Sequence, residues 1–288
     1  MTAQEREFLF PEEAISHAWF GVKHICMAST VKKALIDRPS VSILEVGSWI
    51  GASTLLWAEA VKRYASDAGR AESSIECVDS WLPILSSEEL DKPHYARFAA
   101  VGRSGLAYKL YRHNAALETE RYGVPISHRK GRSDELLCEI ESESKDIAFI
   151  DAGHYHDDVA HDVEEAKRIV KVGGYICGDD YNLRYDDIDV AAAWENRNRD
   201  VAVDPATGGH FHPGVTLAVG TAFENVSAAN GFWIVRKTEN GFVDSQISID
   251  DAFIPSFLSK EQQDHFSDDI ADLIRRSRRG ADARKEPT

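Results

Sequence analysis

Two short runs of this 288-residue chain gather carboxylates around a histidine. The first reads Asp151-Ala152-Gly153-His154-Tyr155-His156-Asp157, the second Gly178-Asp179-Asp180-Tyr181. Each follows a short apolar, β-branched stretch, over residues 147–150 and 174–177. Asp151, Asp179 and Asp180 are therefore expected at the ends of neighbouring strands. Three carboxylates that converge need a compensating positive charge. A hard divalent cation, Mg²⁺ or Mn²⁺, suits such a set, with water or substrate hydroxyls completing an octahedron. The plainer alternative is that Asp180 caps a loop and a single acid faces the site. His154 stands one short turn past Asp151, where an imidazole would accept a proton near neutral pH from a metal-bound hydroxyl. Roles as a fourth metal ligand or as a loop-packing residue fit the spacing equally well. Asp151 and His154 are the catalytic candidates, and Asp151, Asp179 and Asp180 the metal-ligand candidates.

A second constellation lies earlier, in Glu45-Val46-Gly47-Ser48-Trp49-Ile50-Gly51-Ala52-Ser53. Glycines at this spacing let the backbone turn sharply and approach a ligand, and the free amides of the next helix point at it. The pattern is G-x-x-x-G rather than G-x-G-x-x-G. A carboxylate at Glu45 would repel a pyrophosphate over the turn, but suits the ammonium and sulfonium of S-adenosylmethionine (SAM). Asp79, ending the next apolar run, can accept hydrogen bonds from ribose hydroxyls. Ser48, Gly51, Ser53, Ser80, Trp81, Ser133 and Asp151 complete the cofactor-binding candidates. Trp81 could pack on the adenine or in the core, and Ser133 could equally cap a helix.

These residues need a scaffold that brings them to one edge. Five apolar runs, at 41–46, 75–78, 125–128, 147–150 and 174–177, read as strands. Helical patterns at 53–64, 132–140 and 159–170 separate most of them. Strand alternating with helix implies a mostly parallel sheet covered on both faces. Right-handed crossovers then put every strand's C-terminal end on one edge, where ligands bind. Runs at 232–237 and 242–249, joined through Asn240-Gly241, read as an antiparallel hairpin. The expected fold is α/β: a Rossmann-like three-layer sandwich whose mostly parallel seven-stranded sheet ends in that hairpin. A helix is expected over 11–36, and a final helix from Ser259 to about residue 278 before a disordered tail. The division is an N-terminal helical extension (1–40), a central domain (41–255) and a C-terminal helix and tail (256–288). The long stretches 81–124 and 181–213 fall on the ligand edge, where such loops choose the substrate.

Bulk properties bound the function. A formal net charge of -15 argues against binding nucleic acid or an anionic membrane surface. No run is long enough to span a bilayer and the first residues do not read as a secretory signal, so a cytoplasmic address is expected. Cys26, Cys77, Cys138 and Cys177 form no C-x-x-C pair and read as buried reduced thiols. The partner expected is a small-molecule acceptor, and a homo-oligomer is compatible with the sequence.

Four motifs together, L-E-V-G-S-x-x-G-x-S, V-D-S-W, I-D-A-G-H-Y-H-D-D-V-A-H-D and G-G-Y-I-C-G-D-D-Y, span residues 41–180. On these the chain resembles class I SAM-dependent methyltransferases. Within them it is similar to the metal-dependent sugar O-methyltransferases of the macrocin and mycinamicin type and to cephalosporin hydroxylase-like proteins. The resemblance implies metal at Asp151, Asp179 and Asp180, a base at His154, the methionyl group on Glu45, Gly47 and Ser53, and the ribose on Asp79. His156-Asp157 stands where that family commonly has Tyr-Glu. The function expected is divalent-metal-dependent O-methylation of a small molecule, a sugar or glycosylated metabolite being the candidate class. An NAD(P)-linked oxidoreductase, or a SAM-fold binding protein without transfer activity, is the alternative.

Overall fold

The computed structural model describes residues 7–11, 23–248, 251–264, 267, 268 and 270. The part of the expected first helix over 12–22, the C-terminal helix beyond residue 270 and the expected tail lie outside the described residues.

The sheet's main path holds seven strands: β1 (Ser42–Val46), β2 (Ser74–Asp79), β3 (Ile126–Lys130), β4 (Lys145–Ile150), β5 (Val170–Tyr181), β9 (Gly231–Thr238) and β10 (Gly241–Asp244). Their spatial order is β3-β2-β1-β4-β5-β9-β10, and a short β8 (Ser227–Ala229) also pairs with β9. The first five pair in parallel, while β9 runs antiparallel to β5 and β10. This is the expected Rossmann-like sheet, with a short eighth strand added. The reversal of strand order lies between β1 and β4, the position at which open α/β sheets bind ligands. A two-stranded ribbon, β6 (Ala202–Val203) with β7 (His210–Phe211), stands apart.

Side chains alternate across a strand, and the core divides accordingly. Ile43, Ile147 and Phe149 face one layer, with α1 (Lys23–Ala34), α2 (Ala52–Tyr64) and, after the short α3 (Asp67–Glu72), α6 (Leu106–Tyr122). Leu44, Val46, Ala148 and Ile150 face the other, with α8 (His156–Ile169) and α10 (Pro213–Ala222). β4, covered on both sides, is buried along its whole length. The 81–124 stretch folds as α4 (Ser87–Leu90), α5 (Ala96–Arg103) and α6. A one-turn α7 (Ser133–Leu136) and a 3-10 turn follow β3, shorter than the helix expected over 132–140, and α9 (Val190–Glu195) sits in the 181–213 stretch. The sequence does not announce α10, because Pro213-Gly214-Val215-Thr216-Leu217-Ala218-Val219 is a short apolar run compatible with either strand or helix. β10 ends at Asp244, five residues before the expected limit of the hairpin. Cys26, Cys77 and Cys177 are buried free thiols as expected, whereas Cys138, on the 3-10 turn after α7, is exposed.

Candidate active site

A cavity of 360 Å³ opens at the β1–β4 reversal, within the size range of small-ligand sites. Its floor at one end is the β1–α2 turn, with Gly47, Ser48, Trp49, Ala52 and Ser53, and the end of β2 at Asp79. At the other end stand Asp151, Gly153, His154, Asp179, Asp180, Lys23, Asp200 and His212. Gly47 has φ 89°, and a Cβ there would lie 2.0 Å from the Asp151 carbonyl oxygen. Only glycine lets the two loops approach so closely.

Glu45 does not line this cavity. It is fully buried below the turn, where its carboxylate accepts from Ser48 Oγ at 2.9 Å, from Cys77 Sγ at 3.2 Å and from Thr54 Oγ1. Burial pushes its pKa up, against the hydroxyls around it. Glu45 therefore shapes the turn from beneath rather than lining the cavity. Asp79 is held just as firmly: Oδ2 accepts from the Ser48 and Trp49 amides, both at 2.8 Å, and Oδ1 from the Trp81 amide at 2.5 Å. Burial raises its pKa while those three amides lower it. Its carboxylate faces the cavity and welds two loops together. Trp81 is a core residue, 1% exposed, donating Nε1 to the Trp49 carbonyl and packing on Tyr108, Tyr111 and His128. Gly51 and Ser80 support the same loops without lining the cavity, and Ser133 is turned to Asp162.

The acidic end depends on an irregularity in β5. Successive strand residues point to opposite faces, so Asp179 and Asp180 could not share a chamber in a regular strand. The pairing with β9 shifts register between Gly178 and Tyr181, and Asp180 adopts φ 65°. This bulge turns both carboxylates into the cavity, at a backbone cost of about 1–3 kcal/mol.

Two cationic groups meet the acids. The Lys23 ammonium lies 3.2 Å from Asp151 Oδ2 and in close contact with Asp179 Oδ2. Burial opposes its charge, but Asp151, Asp179 and Asp180 together outweigh burial and hold its pKa above the ordinary lysine value. Asp151 itself is pushed up to about 8, by burial first, with Lys23 opposing and Asp179 and Asp180 adding to the rise. His154 sits between two carboxylates: Nδ1 is 2.5 Å from Asp200 Oδ1 and Nε2 is 3.0 Å from Asp180 Oδ2. Burial disfavours the imidazolium, and these two acids more than restore it, raising the pKa well above the ordinary value. Asp180 and Asp200 are correspondingly held far below the usual carboxylate range, although burial alone would raise both. Both imidazole nitrogens are thus engaged by carboxylates. His212 lies beside His154, at 3.6 Å from Asp200 and 3.7 Å from Asp180.

Sequence reasoning missed Lys23, Asp200 and His212. Lys23 shares a helix face with Cys26 and Met27 at i+3 and i+4, both buried, and a lysine on an apolar stripe was the available signal. Asp200 lies in an irregular segment whose path no periodicity reveals. It is fixed there by its amide, which donates to Glu89 Oε1 at 2.8 Å, and by the Tyr95 hydroxyl. Glu89 also accepts from Tyr155, whose hydroxyl in turn accepts from the Ser86 amide at 2.7 Å. The two long stretches read as loops are thus latched to each other over the cavity.

Residues 44–181 match the family described as a methyltransferase domain, and this is the segment that builds the glycine turn, Asp79 and the acidic end. Over these residues the chain carries a methyltransferase domain. No curated protein matches it. Among solved structures it is similar to the O-methyltransferase NovP, at 14% identity and a TM-score of 0.51, over 75% of this chain and 80% of that one. It also matches an O-methyltransferase from Bacillus cereus in complex with SAH (18% identity, TM-score 0.43, 77% and 84% covered). A third match is TomG, an O-methyltransferase from Streptomyces achromogenes in complex with SAM (15% identity, TM-score 0.44, 80% and 92% covered). At these identities the likeness is one of fold. No described helix of the methyltransferase is long and apolar enough to cross a membrane.

Proposed function

We propose that the methyltransferase carries the methyl group of SAM to a hydroxyl oxygen of a small-molecule acceptor with an apolar body beside that hydroxyl. The reading rests on one observation: a single cavity joins the glycine turn and Asp79 to the acidic end, and Leu82, Ile84, Leu85 and Phe98 wall it. The nucleoside would lie toward Asp79 and the methionyl group over Gly47 and Ser53. The sulfonium would then face the acidic end, where four carboxylates outnumber the ammonium and the imidazolium. A glycosylated metabolite, whose aglycone could meet the apolar wall, is the acceptor class we favour.

In the transfer the acceptor oxygen attacks the methyl carbon, the carbon–sulfur bond breaks, and S-adenosylhomocysteine leaves with the sulfur electron pair. Asp151 takes the hydroxyl proton from its place on the cavity wall, and Lys23 opposes the rise that burial imposes on its pKa and so keeps the carboxylate available. The His154 imidazolium, held between Asp180 and Asp200, places a positive charge beside the acceptor. Holding the two reactants in line can supply about 7–11 kcal/mol of the barrier.

A metal bound by all three aspartates does not fit the residues as arranged. Lys23 engages Asp151 and Asp179, and the convergent ligand atoms belong instead to Asp151, His154 and Asp180. The test is calorimetry with S-adenosylhomocysteine together with a labelled-methyl assay over hydroxylated acceptors, run with Mg²⁺ and with EDTA. Micromolar binding and label in an ether product are expected. Absence of binding would overturn the proposal.

A further inference from the structure

Two of the cavity's acids already share one cation from within the chain. Lys23 is 16% exposed at its side chain and reaches Asp151 Oδ2 at 3.2 Å and Asp179 Oδ2 more closely still. It is delivered by α1, whose Ile25, Cys26, Met27, Ala28 and Val31 are each no more than 1% exposed. The helix is therefore packed against the core from Ile25 onward. A divalent ion would need carboxylate oxygens at about 2.0–2.1 Å for Mg²⁺. Oδ2 of Asp151 and Oδ2 of Asp179 both face the ammonium, so an ion bridging those two oxygens would have to displace it. One position cannot hold both cations.

We infer that Lys23 is the resident cation of this site, occupying the place of a divalent ion, and that ammonium and metal are mutually exclusive at the Asp151–Asp179 pair. The inference rests on the methyl-transfer reading of the cavity, but concerns only how its acids are balanced. Lys23 is in this account a positioning residue. It holds Asp151 and Asp179 in the chamber and leaves more negative charge there than a doubly charged ion would. That residual charge lies toward the end of the cavity assigned to the sulfonium.

The deciding measurement is Mn²⁺ uptake, followed by loss of the free-ion paramagnetic resonance signal, with S-adenosylhomocysteine bound. The wild-type chain should take up no stoichiometric Mn²⁺ at concentrations up to the hundreds of micromolar, and methyl transfer should be unchanged by EDTA. Lys23→Met, similar in length but uncharged, should bind one Mn²⁺ per chain at least ten-fold more tightly than wild type. Lys23→Arg, which keeps the charge, should again exclude it. Uptake of one Mn²⁺ by the wild type, at the affinity of Lys23→Met, would overturn the inference. So would a Lys23→Met chain that binds S-adenosylhomocysteine but no Mn²⁺. Should Lys23→Met fail to fold, the wild-type titration still decides. Calorimetry separates the two claims: no S-adenosylhomocysteine binding sinks the functional reading, whereas Mn²⁺ uptake by the wild type sinks only this one.

Discussion

At the scale of single residues, the site is organised by carboxylates whose partners are already in place. Asp79 shows what this means. Its two oxygens accept three backbone amides, so its charge holds the β1–α2 and β2 loops in the shape that a nucleoside would meet. Asp79→Asn can accept at only one oxygen and strands at least one amide, a loss of about 1–3 kcal/mol. The expected result is a ten-fold or greater weakening of S-adenosylhomocysteine binding by calorimetry; unchanged affinity would remove Asp79 from cofactor binding. Asp200 plays the corresponding part at the acidic end. Asp200→Asn removes the charge beside His154 Nδ1, and kcat should fall by roughly 10²-fold with little change in SAM affinity. An unaltered kcat would reduce the pair to packing.

At the scale of elements, the strands and their order were legible because β-branched runs alternate with helical periods. The glycine turn, Asp79 and the Asp151 and Asp179-Asp180 corners could be placed on one edge for the same reason. What stayed hidden has physical causes. Lys23 is a polar exception on an apolar helix face, and its partners lie more than a hundred residues away in sequence. Asp200 sits where no period operates, so only tertiary hydrogen bonds reveal its position. Glu45 and Trp81 carry the expected residue types in the expected loops, but burial, which spacing does not encode, turned them into supports. The latch between the two long segments yields an element-scale prediction. Glu89 is 5% exposed and receives the Asp200 amide and the Tyr155 hydroxyl. Glu89→Ala should raise the acceptor KM several-fold while SAM affinity stays within about two-fold, because the latch lies over the acceptor end. An equal loss of both would mean that it supports the whole domain.

At the scale of the whole molecule, one buried acid outside the site sets a pH dependence. Glu118, on α6, is 1% exposed with both carboxylate oxygens unpartnered. Burial first, then the nearby Glu59, pushes its pKa up to about 8. The unfolded chain would hold it near the ordinary value of about 4.3. The folded state thus binds the extra proton between those values, so stability is fullest at low pH and is lost as pH rises toward 8. Urea unfolding should show Glu118→Gln closest to the wild type below about pH 4 and exceeding it by several kcal/mol, about 5 at most, at pH 9. Equal stabilities at pH 9 would exclude the buried acid as the cause. The same end of the molecule shows how α1 is seated. His24 Nε2 meets the Phe253 carbonyl at 2.9 Å and Lys32 pairs with Asp251 at 2.6 Å, while the Ser256 amide donates to Glu59 on the adjoining α2. The stretch around residues 251–256 is thus the buttress behind the helix that delivers the ammonium. A truncation, protease cut or affinity handle placed just upstream of that stretch would loosen a charge on the far side of the sheet edge. The expected symptom is a newly acquired appetite for metal ions at the Asp151–Asp179 pair.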